Sequence, residues 1–181
     1  MKPVRAMLFA AVLGGFLLVA GCGKTGAEAP VNADDVMFVQ MMVQHHRQGI
    51  EIAGLGARRA TTPEVKTLAA AIASTQQDEV EMMLRWLHSL DQPLQAAAGA
   101  HDHHGGLPET GLERVEALKT SKSFERDLLN LLIAHQDDAV QMAGMEVHNG
   151  ASPAVKEWAR QVEASREGQI DLMAGYLKRA R

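Results

Sequence analysis

The chain has 181 residues, 4% aromatics, a single cysteine and a formal charge of −4. That acidic balance gives no support to nucleic-acid binding, which wants a basic face. Abundant Ala, Leu, Met and Glu, with little clustering of β-branched residues, predict an all-α fold.

Lys2 and Arg5 precede an apolar run from Ala6 to Ala20, followed by Gly21 and Cys22. A basic start, a short apolar core and small residues at its end predict an export signal over residues 1–21, too short to span a bilayer. Val19-Ala20-Gly21-Cys22 resembles a lipobox, in which the cysteine becomes the acylated N-terminus; two or more acyl chains give a stable membrane anchor. Gly23 in place of Asp argues against inner-membrane retention in a double-membraned cell, so the expected location is the envelope, facing the periplasm or exterior. Removing the signal takes away two basic residues and no acidic ones. An acylated Cys22 leaves no thiol, so a metal would be held by nitrogen, oxygen or thioether sulfur. Residues 22–34 read as a flexible tether, and residues 35–181 suffice for one domain.

Residues 35–91 align without a gap on residues 125–181, at an offset of 90. His45 matches His135, Ala53-Gly54 matches Ala143-Gly144, Pro63 matches Pro153, Met83 matches Met173 and Leu87 matches Leu177. This is one helical hairpin repeated, 35–91 and 123–181 with a connector over 92–122, and it predicts a four-helix bundle. Helices are expected near 35–59, 63–90, 123–148 and 153–179, with a short one near Leu112 to Lys119. Thr62 and Ser152, each before a proline, read as N-caps. Asn149-Gly150 reads as a left-handed C-cap. The long connector leaves the helix order open, a ferritin-like crossover included.

At about 100° per residue, Phe38, Met41, Met42, His45, Gly49, Ile52 and Ala53 share one face of the first helix, with His46 at its edge. Counting back from the turn at about 1.5 Å per residue, His45 is level with Asp78, near Gln76 and Glu79, which interrupt an apolar stripe on the second helix. His135 is level with Arg166 and Gln169. Two readings follow. One is a satisfied buried network, with Glu79 paired to Arg166 and His45 bonded to Gln76. The other is a metal site of His45 with His46, His135, Glu79, Met41, Met42 and Met83, with Gln76 supporting it. Imidazole and thioether ligands suit Cu(I), and the methionines cluster around the two histidines. Arg166 opposes a cation in the second hairpin and biases such a site to the first. The connector offers another candidate, His101, Asp102, His103 and His104, able to hold Cu(II), Ni(II) or Zn(II) loosely. His88 and His148 near helix C-termini are accounted for by the helix dipole.

The stretch MMVQHHRQGIEIA, followed by a proline-started helix carrying STQQDEVEMMLRWL, resembles the bacterial family catalogued as domain of unknown function 305. The resemblance covers about 35–91 and 123–181. It implies a ferritin-like four-helix bundle in exported proteins, some associated with copper binding and copper tolerance. The matching positions are His45, His46, Ile52-Ala53, Gln76, Glu79 and Met83. The chain departs from the family pattern where Gln136 follows His135, where Arg166 and Gln169 replace Gln and Glu, and where residues 101–104 are histidine-rich.

No Glu-x-x-His, Gly-x-Ser-x-Gly or His-Glu-x-x-His occurs in the chain, so neither di-iron oxidation nor hydrolysis is expected and the protein is read as a non-enzyme. The expected function is a lipid-anchored extracytoplasmic bundle that binds copper and buffers or delivers it. The rival is a structural or partner-binding bundle at the cell envelope.

Overall fold

A computed structural model describes residues 30–95 and 112–179 and consists of five helices: α1 Ala33–Arg59, α2 Pro63–Ser89, α3 Leu112–Thr120, α4 Phe124–Asn149 and α5 Pro153–Arg179. Cys22 and the segment His101, Asp102, His103 and His104 lie outside the described residues. Helix α1 begins two residues inside the span expected for the tether, because Asn32 caps it. The Asn32 side chain accepts from the Asp35 N–H at 2.9 Å while the Asp35 carboxylate accepts from the Asn32 N–H at 2.6 Å, a reciprocal capping box. No described helix is long and apolar enough to cross a membrane.

Two hairpins, α1/α2 and α4/α5, meet along α1 and α4. The direction of that meeting is fixed by a pair of carboxylates that the repeat places in equivalent positions. Asp35, at the start of α1, accepts from the backbone N–H groups of Ala151 and Ser152 in the α4/α5 turn, the latter at 3.0 Å. Ninety residues on, Glu125 at the start of α4 accepts from the backbone and hydroxyl groups of Thr61 and Thr62 in the α1/α2 turn. Each hairpin thus ties down the turn of the other. Helices α1 and α4 must therefore run antiparallel, which places the end of α2 and the start of α4 at opposite ends of the bundle. The connector spans its whole length, the ferritin-like order. Within it α3 buries Val115 and Leu118 against α4, and the Lys119 carbonyl accepts from Arg59 at 2.7 Å.

Two expectations about turn chemistry are corrected. Thr62 makes no side-chain cap to its own helix; its hydroxyl donates to Glu125 instead, at 2.6 Å. Gly150 is extended (φ −62°, ψ 153°), not left-handed. Its glycine is required by space, since a Cβ there would overlap the carboxylates of Glu146 and Asp35.

The apolar core comes in two parts. Phe38, Met42, Val80, Met83, Leu87, Met142 and Val162 fill the end holding the α4/α5 turn. Ile52, Val65, Ile72, Leu118, Leu128, Leu132 and Met173 fill the other. A polar layer separates them.

Burial alone would raise the Glu125 carboxyl, but the hydroxyls and N–H groups of Thr62 and Thr61 outweigh it and hold it at about 2. Its ordinary value is higher, so its contribution is complete above the unfolded-state pKa and is lost as pH falls toward 2. Glu125→Gln is expected to destabilise the bundle by roughly 1 kcal/mol at pH 7, discounted for exposure. Urea denaturation should show the gap between parent and variant closing between about pH 4.5 and 2; a gap independent of pH would contradict this account.

Candidate functional site

The polar layer draws two residues from each long helix: His45 and His46 from α1, Gln76 and Glu79 from α2, His135 and Gln136 from α4, Arg166 and Gln169 from α5. Each falls on the inward face because the repeat keeps it in step with the apolar stripe. His46, Gln76, His135, Gln136 and Arg166 are fully buried.

The layer follows the repeat bond for bond. In the first hairpin His46 Nε2 meets Glu79 Oε2 at 2.7 Å; in the second, the equivalent Gln136 donates to Gln169. Between hairpins Gln76 donates to Gln136 at 3.3 Å, and the equivalent pair, Arg166 and His46, lies 3.3 Å apart. Arg166 adds an ion pair with Glu79. On the approximate twofold axis His45 and His135 stack, with ring centroids 3.7 Å apart and planes 8° from parallel. Gly49 gives them room: a Cβ there would overlap Gln76 Oε1 and lie 2.5 Å from His135 Nε2.

Electrostatics keep the three imidazoles neutral. Burial lowers His45 well below the ordinary histidine range, the His135, His46 and Arg166 charges add to the effect, and the His135 backbone pulls the other way. Burial and then His46 and Arg166 take His135 down to about 3. Burial also lowers His46, against the pull of Glu79. Glu79 goes the other way: burial would raise it, but His46 and Arg166 hold it low and ionised. Neutral His46 therefore carries its proton on Nε2, the tautomer that makes the short contact to Glu79 a hydrogen bond. The layer holds one carboxylate against one guanidinium.

The expected convergence in mid-bundle is present, and so is the Glu79 to Arg166 pair. His45 bonded to Gln76 is not: Gln76 reaches Gln136, and both ring nitrogens of His45 lack a hydrogen-bond partner. The ligand set proposed from spacing is not brought together as one site. His46 and Glu79 are joined to each other and to Arg166, whose positive charge opposes a cation. His45 and His135 present parallel rings, and ring-nitrogen lone pairs lie in the ring planes. An ion midway between planes up to 3.7 Å apart would sit far out of both planes at a metal to nitrogen distance of about 2 Å. Among the described residues no three His, Cys, Asp or Glu side chains converge as a ligand group. What remains suited to a soft ion is His45, with its two orphaned nitrogens, and the thioethers Met41 and Met42 one turn before it. Met83 belongs to the same buried cluster as those two methionines.

The end of the bundle holding the α4/α5 turn carries a further feature that residue spacing within one hairpin does not reveal. A groove of about 40 Å³ between α1 and α4 is lined by Met37, Met41, Met142, Met145 and Glu146, among others. Glu146 is 2% exposed. Burial and then the neighbouring Asp35 carboxylate push it up to about 8. Its signal in sequence is the methionine spacing, 37 and 41 on one helix and 142 and 145 on another, which gains meaning only once α1 and α4 are known to be antiparallel neighbours.

A family model described as a domain of unknown function, DUF305, matches residues 35–177. The chain belongs to the DUF305 family. A DUF305 fragment from Deinococcus radiodurans superposes with a TM-score of 0.73 at 30% identity, over 83% of this chain and 99% of that one. A DUF305 protein from Streptomyces coelicolor, described as secreted, gives 0.76 at 30% identity, over 81% and 93%. CopM in its Cu(I)-bound form gives 0.67 at 27% identity, over 80% and 96%; in its Cu(II)-bound form, 0.71 at 27%, over 81% and 97%. No curated protein matches the chain. This DUF305 bundle is thus similar, along nearly its whole described length, to a protein crystallised with copper.

Removing Glu79 leaves the Arg166 charge buried and unpaired, so Glu79→Gln is expected to destabilise the fold by about 3–5 kcal/mol. Adding Arg166→Gln makes position 166 match its repeat partner Gln76, and this double variant should be markedly more stable than the single one. Chemical denaturation of both would test the coupling; additive losses would contradict it.

Proposed function

We propose that this protein is an extracytoplasmic copper-binding bundle, anchored through an acylated Cys22, that buffers or delivers Cu(I) and catalyses no reaction. One observation carries the reading: His45 is buried, held neutral and without a side-chain hydrogen-bond partner on either ring nitrogen, one turn from two core methionines. An orphaned buried imidazole costs on the order of 1–3 kcal/mol, a penalty a metal ion would relieve. Supporting it is the likeness to CopM, solved with Cu(I), Cu(II) and silver. Extracytoplasmic location is supported by the export signal and by a family relative described as secreted.

His45 supplies a neutral imidazole nitrogen, the form that binds metal, and Met41 and Met42 supply thioether sulfur, a set that favours Cu(I) over harder ions. Glu79 and Arg166 lock the layer from beneath. Their mutual neutralisation keeps a net charge out of the core, so a single positive ion is the only charge the site would add.

The rival reading, a structural or partner-binding bundle, is favoured by the closed His46, Glu79 and Arg166 contacts. Titrating the full chain with Cu(I) under a competing chelator decides between them. His45→Ala is expected to weaken the bundle site at least tenfold. Affinity should stay flat from pH 8 to 6.5, because His45 takes up a proton only well below its ordinary value and competition begins there. Undiminished binding by His45→Ala would make the polar layer structural.

A further inference from the structure

The groove between the start of α1 and the end of α4 shares one residue, Met41, with the neighbourhood of His45. Its remaining thioethers play no part in the function proposed above. Met37 and Met41 stand one turn apart on α1; Met142 and Met145 stand one turn apart on α4. The antiparallel pairing of the two helices brings these four side chains to one depression of about 40 Å³, room on the scale of a single ion or water. They are graded in depth: Met41 and Met142 are buried in the floor, Met37 is half-buried and Met145 is 39% exposed.

Unbranched thioethers often fill irregular core gaps, where a leucine would do as well. Two observations distinguish this cluster. First, Met145 remains on the surface, where an apolar filler gains little. Second, Glu146 lines the same groove as a buried carboxyl that meets no N–H or hydroxyl donor and has the Asp35 carboxyl beside it. Asp34 completes the acidic side of the rim. Soft sulfur donors on one side and closely set carboxyls on the other describe a receptor for a soft monovalent cation.

We propose that Met37, Met41, Met142 and Met145, with Glu146, form a second soft-cation site that takes Cu(I) or Ag(I) from solvent at the end of the bundle. The site is distinct from His45 and joined to it through Met41, one helical turn away, so it is placed to receive an ion before the core does. The inference rests on the copper reading only for the identity of the ion; the cluster itself is independent of the histidine layer.

Ag(I) is a suitable probe because it is soft, monovalent and stable in air. With the full chain labelled at the methionine methyl carbons, Ag(I) is expected to shift the Met37, Met41, Met142 and Met145 resonances together, and His45→Ala should retain these shifts. Met37→Leu with Met145→Leu, a volume-conserving pair away from the core floor, should weaken this site at least tenfold while leaving the His45-dependent ion in place. If Ag(I) binds but those four resonances stay still, or if the double variant binds every ion as tightly as the parent, the groove site is wrong and the His45 reading stands. Absence of any Ag(I) or Cu(I) binding by the parent would overturn both. Because the methyl shifts are read on the parent, the test does not depend on how well the variant folds.

Discussion

A fully buried guanidinium sits at the middle of this bundle, and the surrounding architecture is arranged to make that tolerable. Arg166 comes from the second hairpin and its counter-charge, Glu79, from the first. An isolated ion in such an interior would be destabilising by several kcal/mol, so the hairpins must meet in the one register that brings these two residues together. His46 accompanies the pair and is kept neutral by burial and by the neighbouring cation. The same register stacks His45 on His135 and links Gln76, Gln136 and Gln169 across three helices. Asp35 and Glu125 repeat the logic at the two ends, each closing the other hairpin's turn.

The twofold relation is real in bonding pattern and broken in charge. Gln76 and Arg166 are equivalent, as are Glu79 and Gln169, yet one set is neutral and the other ionic. A duplicated hairpin that stayed symmetric would place two like residues opposite each other across the axis. Here one hairpin supplies the anion and its partner the cation. This asymmetry sets the ion pair on one side of the axis, where His46 joins it, and leaves both ring nitrogens of His45 without a side-chain partner.

Much of this was legible before any coordinates. The repeat at an offset of 90, the helical spacing of the apolar residues and the two proline-started helices define the four long helices to within a residue or two. Counting residues from the turns was enough to put His45, Gln76, Glu79, His135, Arg166 and Gln169 at one height. Rise per residue is a local property and survives into the fold. Bond partners were legible only in part: the Glu79 to Arg166 pair was expected and is present, whereas the partner of Gln76 was not. Gln76 could reach His45 or Gln136 from the same height, and only the rotation of each helix about its axis selects between them. Gly150 shows the same limit, because the need for a glycine there comes from the space taken by two carboxylates, one of them more than 100 residues away in the chain.

What the sequence alone determined is what depends on near neighbours along the chain: helix extents, the hairpin repeat, the inward faces, the acidic balance and the export signal expected over residues 1–21. What only the tertiary structure decided is what depends on how the two hairpins face each other. That includes the antiparallel meeting of α1 with α4, the end-to-end crossover of the connector, the bond from Gln76 to Gln136 and the gathering of four methionines around Glu146. The physical reason is that helix formation is driven by contacts within a few residues, whereas hairpin register is chosen by pairing one buried charge and satisfying two carboxylates with partners roughly 60 to 120 residues distant.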